Sequence, residues 1–168
     1  MITDGLSCKG SYHDINQDSF ICKPVSNGYM MALSDGMGSK RFSQFGSRII
    51  CEVLEQEFEN EKVPLDQLKW IPFLKKCHAK WIENLKEYDI TQCYATMLVL
   101  LIQDNCLKAA RLGDGFLSIL IPFLTSCDPH PPCVPHLSVA FYVVKGKASP
   151  EQFRRGFAVF SAVLFSTR

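Results

Sequence analysis

The chain has 168 residues, 47% of them hydrophobic, and a formal net charge of +1. That length suits one domain with a sizeable core, and the composition excludes wholesale disorder. The near-neutral charge, without a dense Lys/Arg block, excludes a general nucleic-acid binder, and no apolar run approaches the roughly 20 residues that cross a bilayer.

Residues 2–8 are expected as a first strand, leading through Gly10 and Ser11 to His13 and Asp14. Two short apolar runs follow, 19–25 and 29–34, with Asn27-Gly28 between them and an acidic residue at the outer end of each, Asp18 and Asp35. Asn-Gly between apolar runs predicts a β-hairpin, because both residues accept the positive φ of a tight turn. A two-residue loop at Asn27 and Gly28 pairs Ser26 with Tyr29, sets Asp18 opposite Met37, and makes Asp18 and Asp35 same-face diagonal neighbours. Diagonal neighbours lie about 7–8 Å apart, close enough for two carboxylates to share a divalent cation or its water. Gly36 and Gly38 remove side chains just beyond Asp35, so a backbone carbonyl there can also reach a cation.

Ser39 is expected to cap a helix whose apolar positions Phe42, Phe45, Ile49, Ile50, Val53, Leu54 and Phe58 follow the 3.6-residue period. Gly46 on it permits close approach to the sheet. A break at 61–64 precedes a second helix with Leu68, Ile71, Leu74, His78, Trp81, Ile82 and Leu85 on its apolar side, and Pro72 kinks it or marks its true start. His78 then reads as a core histidine. Strands return at 94–102, apolar enough to be covered on both sides, then at 106–112 and 116–121, joined by turns at 104–105 and 113–115. Strands, two helices, then strands without βαβ alternation predict an α+β fold: an antiparallel β-sandwich flanked by helices. Residues 122–168 are dense in Pro and then rich in Phe and Val, and only 149–153 reads as an element, a helix start with Pro at its first position. Within 122–168, Cys127, His130, Cys133 and His136 supply the ligand types of a zinc site, but a solvated Pro-rich loop is the preferred reading. The eight cysteines, mostly within apolar runs, read as small packed hydrophobes of a reducing compartment; with no secretory leader at the N-terminus, the expected location is cytoplasmic.

Asn16-Gln17-Asp18, Leu33-Ser34-Asp35-Gly36-Met37-Gly38-Ser39, Ala95-Thr96-Met97-Leu98 and Arg111-Leu112-Gly113-Asp114-Gly115 stand in an order and spacing that resembles the metal-dependent Ser/Thr protein phosphatases of type 2C. The likeness is to the branch with Gln-Asp in its first motif and Gly-Asp-Gly in its last. It covers residues 2–121, which sets the expected division into a phosphatase-like domain, 1–121, and an unassigned tail, 122–168. The resemblance implies a β-sandwich with a binuclear Mg2+ or Mn2+ site at one end. There, activated water attacks the phosphoserine or phosphothreonine of a phosphoprotein substrate without a covalent phosphoenzyme. It further implies that Asp35 bridges both cations, the Gly36 carbonyl binds one, Asp18 acts through a water, and Asp114 helps hold a weaker ion.

The chain departs from the family pattern twice. His13 stands where many relatives carry an Arg for the substrate phosphate; a protonated His can donate to phosphate but lacks the bidentate fork. After Asp114 the only Asp is Asp128, in a Pro-rich setting unlike the family's late Asp-Gly and Asp-Asn ligand motifs. The expectation is therefore the first part of such a domain, with its metal site incomplete. The alternative reading is a non-catalytic phosphoprotein-binding or regulatory module. A tail foreign to the fold would leave residues 116–121 as an apolar edge.

Overall fold

The computed structural model describes residues 7, 14–26, 28–104 and 106–114, together with the backbone of 116–120, 138–142 and 158–163. Apart from Ser7, the expected first strand lies outside the described residues, as do His13, the 149–153 helix start, Asp128 and the four candidate zinc ligands.

Strands β1 (Asp18–Val25) and β2 (Gly28–Asp35) form the hairpin; helices α1 (Ser43–Glu59) and α2 (Trp70–Asn84) follow, and then β3 (Met97–Gln103), β4 (Cys106–Leu112), β5 (Phe116–Leu120), β6 (Ser138–Tyr142) and β7 (Ala158–Val163). The main sheet is antiparallel throughout, in the order β1-β2-β3-β4-β7, and β5 pairs with β6 in a separate two-stranded sheet. The α+β class with helices laid on an antiparallel sheet is as expected. The tail does more than expected: Ala158–Val163 runs along β4 from Arg111 to Cys106, so the outer edge of β4 is occupied. The partner of β5 is Ser138–Tyr142, so neither strand is left as an open edge on that side.

The hairpin forms where Asn-Gly predicts it, but its register differs by two residues. Val25 pairs with Gly28, so Asp18 lies directly opposite Asp35 rather than diagonal to it. Gly28 is the first residue of β2, with φ +133°, and a Cβ there would sit 2.1 Å from the Ile102 carbonyl oxygen. Its missing side chain serves the contact with β3 as well as the turn.

Even-numbered β2 residues Met30 and Ala32 and odd-numbered β3 residues Met97, Val99 and Leu101 face α1 and α2 and share one apolar core with Ile50, Val53, Leu54, Phe58, Phe73 and Leu74. The opposite face of β3 and β4 is buried as well, at Leu98, Leu100, Leu107 and Ala109, as the unbroken apolar run predicts.

α1 begins at Ser43, and no side chain caps it; Phe42, not Ser39, is the capping residue. α2 begins at Trp70 with Pro72 in its first turn, where a missing N–H costs nothing. Its buried residues are Trp70, Phe73, Leu74 and Cys77; of the expected apolar side, Leu68, Leu74 and Leu85 are buried and Trp81 packs against the core, whereas Ile71, His78 and Ile82 do not. His78 is exposed and stacks on Trp81 at 5.8 Å, and Ile71 and Ile82 are also exposed. The stripe through 70, 73, 77 and the stripe through 71, 74, 78 both satisfy helical spacing; Trp70 and Cys77 bury more apolar surface than Ile71 and His78 and select the first.

The loop between the helices is tied down by groups that periodicity does not reveal. Buried Lys108 on β4 donates from Nζ to the carbonyls of Leu68 and Asp66, Gln103 Oε1 accepts from Leu65 N, and Trp70 Nε1 donates to the Ala109 carbonyl at 3.1 Å.

Glu57 on α1 is buried and receives Lys76 Nζ at 2.6 Å and Lys80 Nζ at 2.7 Å from α2. Burial alone raises its pKa, but the hydrogen bonds and charges of Lys76 and Lys80 outweigh burial and hold the carboxyl below its usual range. A carboxyl lowered on folding stabilises above its unfolded value, near 4.5, and loses that contribution as pH falls through the folded value. The melting temperature of the parent is therefore expected to drop more steeply from about pH 6 to about pH 3 than that of Glu57→Gln. Changing both lysines to Met strands the buried carboxylate and is expected to cost about 2–3 kcal/mol, less than for a fully buried pair because both lysines are half exposed. Thermal melts across that pH range check both.

The described cysteines are free, with Cys51, Cys77, Cys93 and Cys106 buried and Cys22 half-buried. Burial pushes the Cys51 and Cys77 thiols up to about 12, which keeps them protonated and inert as nucleophiles or metal ligands. Among the described residues no helix is long and apolar enough to cross a membrane.

Candidate active site

Asp18, Asp35, Thr96 and Gly113 form one row across β1, β2, β3 and β4 at a single end of the sheet. Asp18 pairs with Asp35, and their opposed Cβ atoms are thus about 5 Å apart on one face. Carrying the β2–β3 register one bridge onward, through Gly36 and Ala95, puts Thr96 opposite Asp35; the β3–β4 register puts Gly113 opposite Thr96. Asp35 falls on the face turned away from the helices, since Met30, Ala32 and Ser34 alternate with it and are buried on the other.

Each member is locked by bonds between segments distant in sequence. Thr96 N donates to the Asp35 carbonyl at 2.8 Å, and Asp35 N donates to Thr96 Oγ1 at 2.9 Å. Ser34 Oγ donates to the Thr96 carbonyl at 2.5 Å. A threonine side chain thus replaces the ordinary ladder acceptor at Asp35, where β2 ends. Asp18 N donates to Asn16 Oδ1, and Asn16 Nδ2 donates to Ser7 Oγ. The Gln17 carbonyl accepts from Gly36 N at 3.1 Å and from Ser47 Oγ on α1 at 2.5 Å, which pins the residue before Asp18 to both the β2 end and the helix.

Gly36 is buried in this junction: a Cβ there would lie 2.5 Å from the Gln17 carbonyl oxygen and 2.9 Å from that of Ser43. Gly113, at φ +83°, would press a Cβ to 2.9 Å from Thr96 Cγ2, so the turn leading to Asp114 passes directly over Thr96. Beside β1, a cavity of about 440 Å³ is lined by Asp18 together with Ser7, Asn16, Arg48 and Glu52.

The structure brings Asp18, Asp35 and Gly36 together. Asp114 stands at the same end of the sheet, on the turn after β4, but among the described residues no three His, Cys, Asp or Glu side chains gather closely enough to make a metal cluster. The donor set at the hairpin end is two carboxylates and backbone carbonyls, all hard oxygen, which fits Mg2+ or Mn2+ and not a soft metal. Such ions are commonly held by one or two carboxylates with waters and substrate phosphate completing the shell. Thr96 stands in one of the four motifs, but its hydroxyl's role in holding Asp35 N, and Ser47 altogether, were not readable from the sequence, because their partners lie dozens of residues away.

Thr96→Val is expected to take the acceptor from the half-buried Asp35 N–H and to destabilise the fold by about 1–2 kcal/mol, whereas Thr96→Ser should recover most of the loss. Denaturant midpoints of the two variants decide this.

Comparison with curated protein sequences finds no match. Among solved structures, the chain is similar to a bacterial serine phosphatase at 16% identity and a TM-score of 0.59, covering 92% of this chain and 70% of that one. The serine/threonine phosphatase Stp1 from Staphylococcus aureus is similar at 14% identity and a TM-score of 0.59, with 95% and 69% coverage. RsbX in complex with magnesium is similar at 13% identity and a TM-score of 0.53, with 92% and 64% coverage. At these identities the likeness is one of fold. The sequence profile of the family described as protein phosphatase 2C matches residues 10–131, most of the chain and all four motifs. The chain belongs to the protein phosphatase 2C family, metal-dependent hydrolases that act on phosphoserine and phosphothreonine in proteins.

Proposed function

We propose that Asp18, Asp35 and the Gly36 carbonyl hold Mg2+ or Mn2+ at the hairpin end, with Asp114 assisting from the neighbouring turn. The observation that carries this is the direct pairing of Asp18 with Asp35 at the end of β1 and β2. Two carboxylates on one face, close to a buried glycine junction, place hard oxygen donors where one divalent cation can take both. The cation, when bound, lowers the pKa of a water and neutralises charge on the phosphoryl oxygens. The protein's own part is positional. Thr96 fixes the backbone of Asp35, Gln17 and Ser47 fix that of Asp18, and Gly36 leaves a carbonyl approachable where any side chain would fill the space. His13, in protonated form, is our candidate for gripping the substrate phosphate. We assign the catalytic role to residues 1–121, with 122–168 contributing strands β6 and β7 and no proposed site residue, and place the protein in the cytoplasm.

A non-catalytic phosphoprotein-binding module is the second reading, and the lack of a three-ligand cluster among the described residues favours it. Hydrolysis of a phosphothreonine peptide by the full chain, with and without Mn2+, separates the two. Mn2+-dependent phosphate release supports the enzyme. Saturable peptide binding without release at any Mn2+ concentration supports the module.

A further inference from the structure

A second cavity, of about 240 Å³, opens between the two helices and the start of β3. Its wall carries Ile50 from α1, Leu74 and Trp81 from α2, and Met97 and Leu112 from the sheet, with no Asp, Glu, Lys or Arg among its lining residues. Exposed His78 and Tyr94 also line it and, with the exposed Leu112, form a rim open to solvent, and His78 stacks on Trp81. We propose that this cavity is a binding site for a small uncharged aromatic molecule of one or two fused rings, and that its occupancy is felt at Asp35.

Size, chemistry and rigidity support the assignment. An apolar cavity of about 150 Å³ takes up benzene, so one of this volume accommodates a bicyclic ring. The aromatic rim offers edge and face contacts to a flat π-system, while a charged ligand would lose its hydration with nothing to replace it. The helices cannot simply close the space. Trp81 is held by its Nε1 donating to the Gly46 carbonyl at 2.9 Å, and at Gly46 the α1 backbone already packs so tightly on Cys93 that a Cβ would sit 1.8 Å from its carbonyl oxygen. The cavity also touches the proposed metal end. Its wall includes Ala95, bridged to Gly36, and Thr96, whose hydroxyl accepts from Asp35 N. A ring seated there presses on the strand segment that holds Asp35 in place; this coupling rests on the site assignment above, whereas binding itself does not.

The test uses indole as the probe, calorimetry on the metal-free full chain, and amide chemical shifts. Saturable binding is expected, with a dissociation constant on the order of 0.1–1 mM for nine heavy atoms. Indole should shift the amides of Thr96, Met97 and Asp35. Leu112→Trp, which crowds the rim at an already exposed position, is expected to weaken binding at least about tenfold, and Ile50→Phe, filling the cavity from α1, is the second variant should the first fail to fold. Absence of saturable binding up to the solubility of indole, or equal binding by whichever variant folds, overturns the site. Binding that leaves Asp35 unshifted overturns the coupling to the metal end.

Discussion

Gly46→Ala is expected to lower the melting temperature by about 10 °C, the reverse of what an exposed helix position would give. Alanine is the better helix former by about 1 kcal/mol, so a Gly→Ala change in the middle of α1 should stabilise if nothing stands in the way. Here the added Cβ falls 1.8 Å from the Cys93 carbonyl oxygen and 2.8 Å from its carbonyl carbon, and both are backbone atoms. They cannot rotate away. Phe42 N donates to the Gln92 carbonyl at 2.9 Å and Met37 N to that of Tyr94, so the 92–94 segment is bolted to the entry of α1. Separating the helix from this segment breaks those bonds and loosens the Ala95–Thr96 stretch beside Asp35. Overpacking of this kind costs about 3 kcal/mol at the upper end, against a total stability of about 5–15 kcal/mol. A melt monitored by circular dichroism decides it, and an alanine variant as stable as the parent would show that α1 does not sit where the structure has it.

The second large effect is at Asp35, where activity and stability should move in opposite directions. Asp35→Asn keeps the shape of the side chain and removes one of two like charges placed directly opposite across β1 and β2. Like charges in that relation are destabilising by up to about 1 kcal/mol, so the variant without metal is expected to melt slightly higher than the parent. Added Mn2+ should raise the parent's melting temperature and leave the variant's almost unchanged. Metal-dependent turnover of a phosphothreonine peptide is expected to fall by about 10²–10⁴-fold, the scale on which a principal electrostatic support is lost. Turnover that persists in Asp35→Asn removes this residue from the site.

The parts of the fold legible in the sequence were those with local signals. Asn27-Gly28 located the hairpin, yet Gly28 already pairs with Val25, because it is required in β2 beside the Ile102 carbonyl, a contact 74 positions away in the chain. The two-residue shift preserved the faces, since side chains alternate with period two, and so Asp18 and Asp35 still converge. The α2 stripe was ambiguous because two phases satisfy the same spacing, and the choice is made by packing on β3 and β4 that the helix sequence does not contain. The strand pairing of Ala158–Val163 with β4 and of Ser138–Tyr142 with β5 was unreadable: Pro-dense and Phe-rich segments carry no register information, and both strands join partners from well upstream. At the candidate site the motifs supplied Asp18, Asp35, Gly36 and Asp114. The Thr96 hydroxyl, the Gln17 carbonyl and Ser47 became visible only when three distant segments met.

Where a divalent cation settles on the chain is measured directly by the paramagnetic broadening that Mn2+ causes in the amide spectrum of the full chain. Substoichiometric Mn2+ is expected to erase first the amides of Asp18, Asp35, Gly36 and Met37, then those of Gly113 and Asp114, while β3 beyond Leu100 and the α2 amides keep their intensity. Broadening centred on any other part of the chain, or uniform weak broadening with no centre, would contradict the assignment of the hairpin end as the metal site.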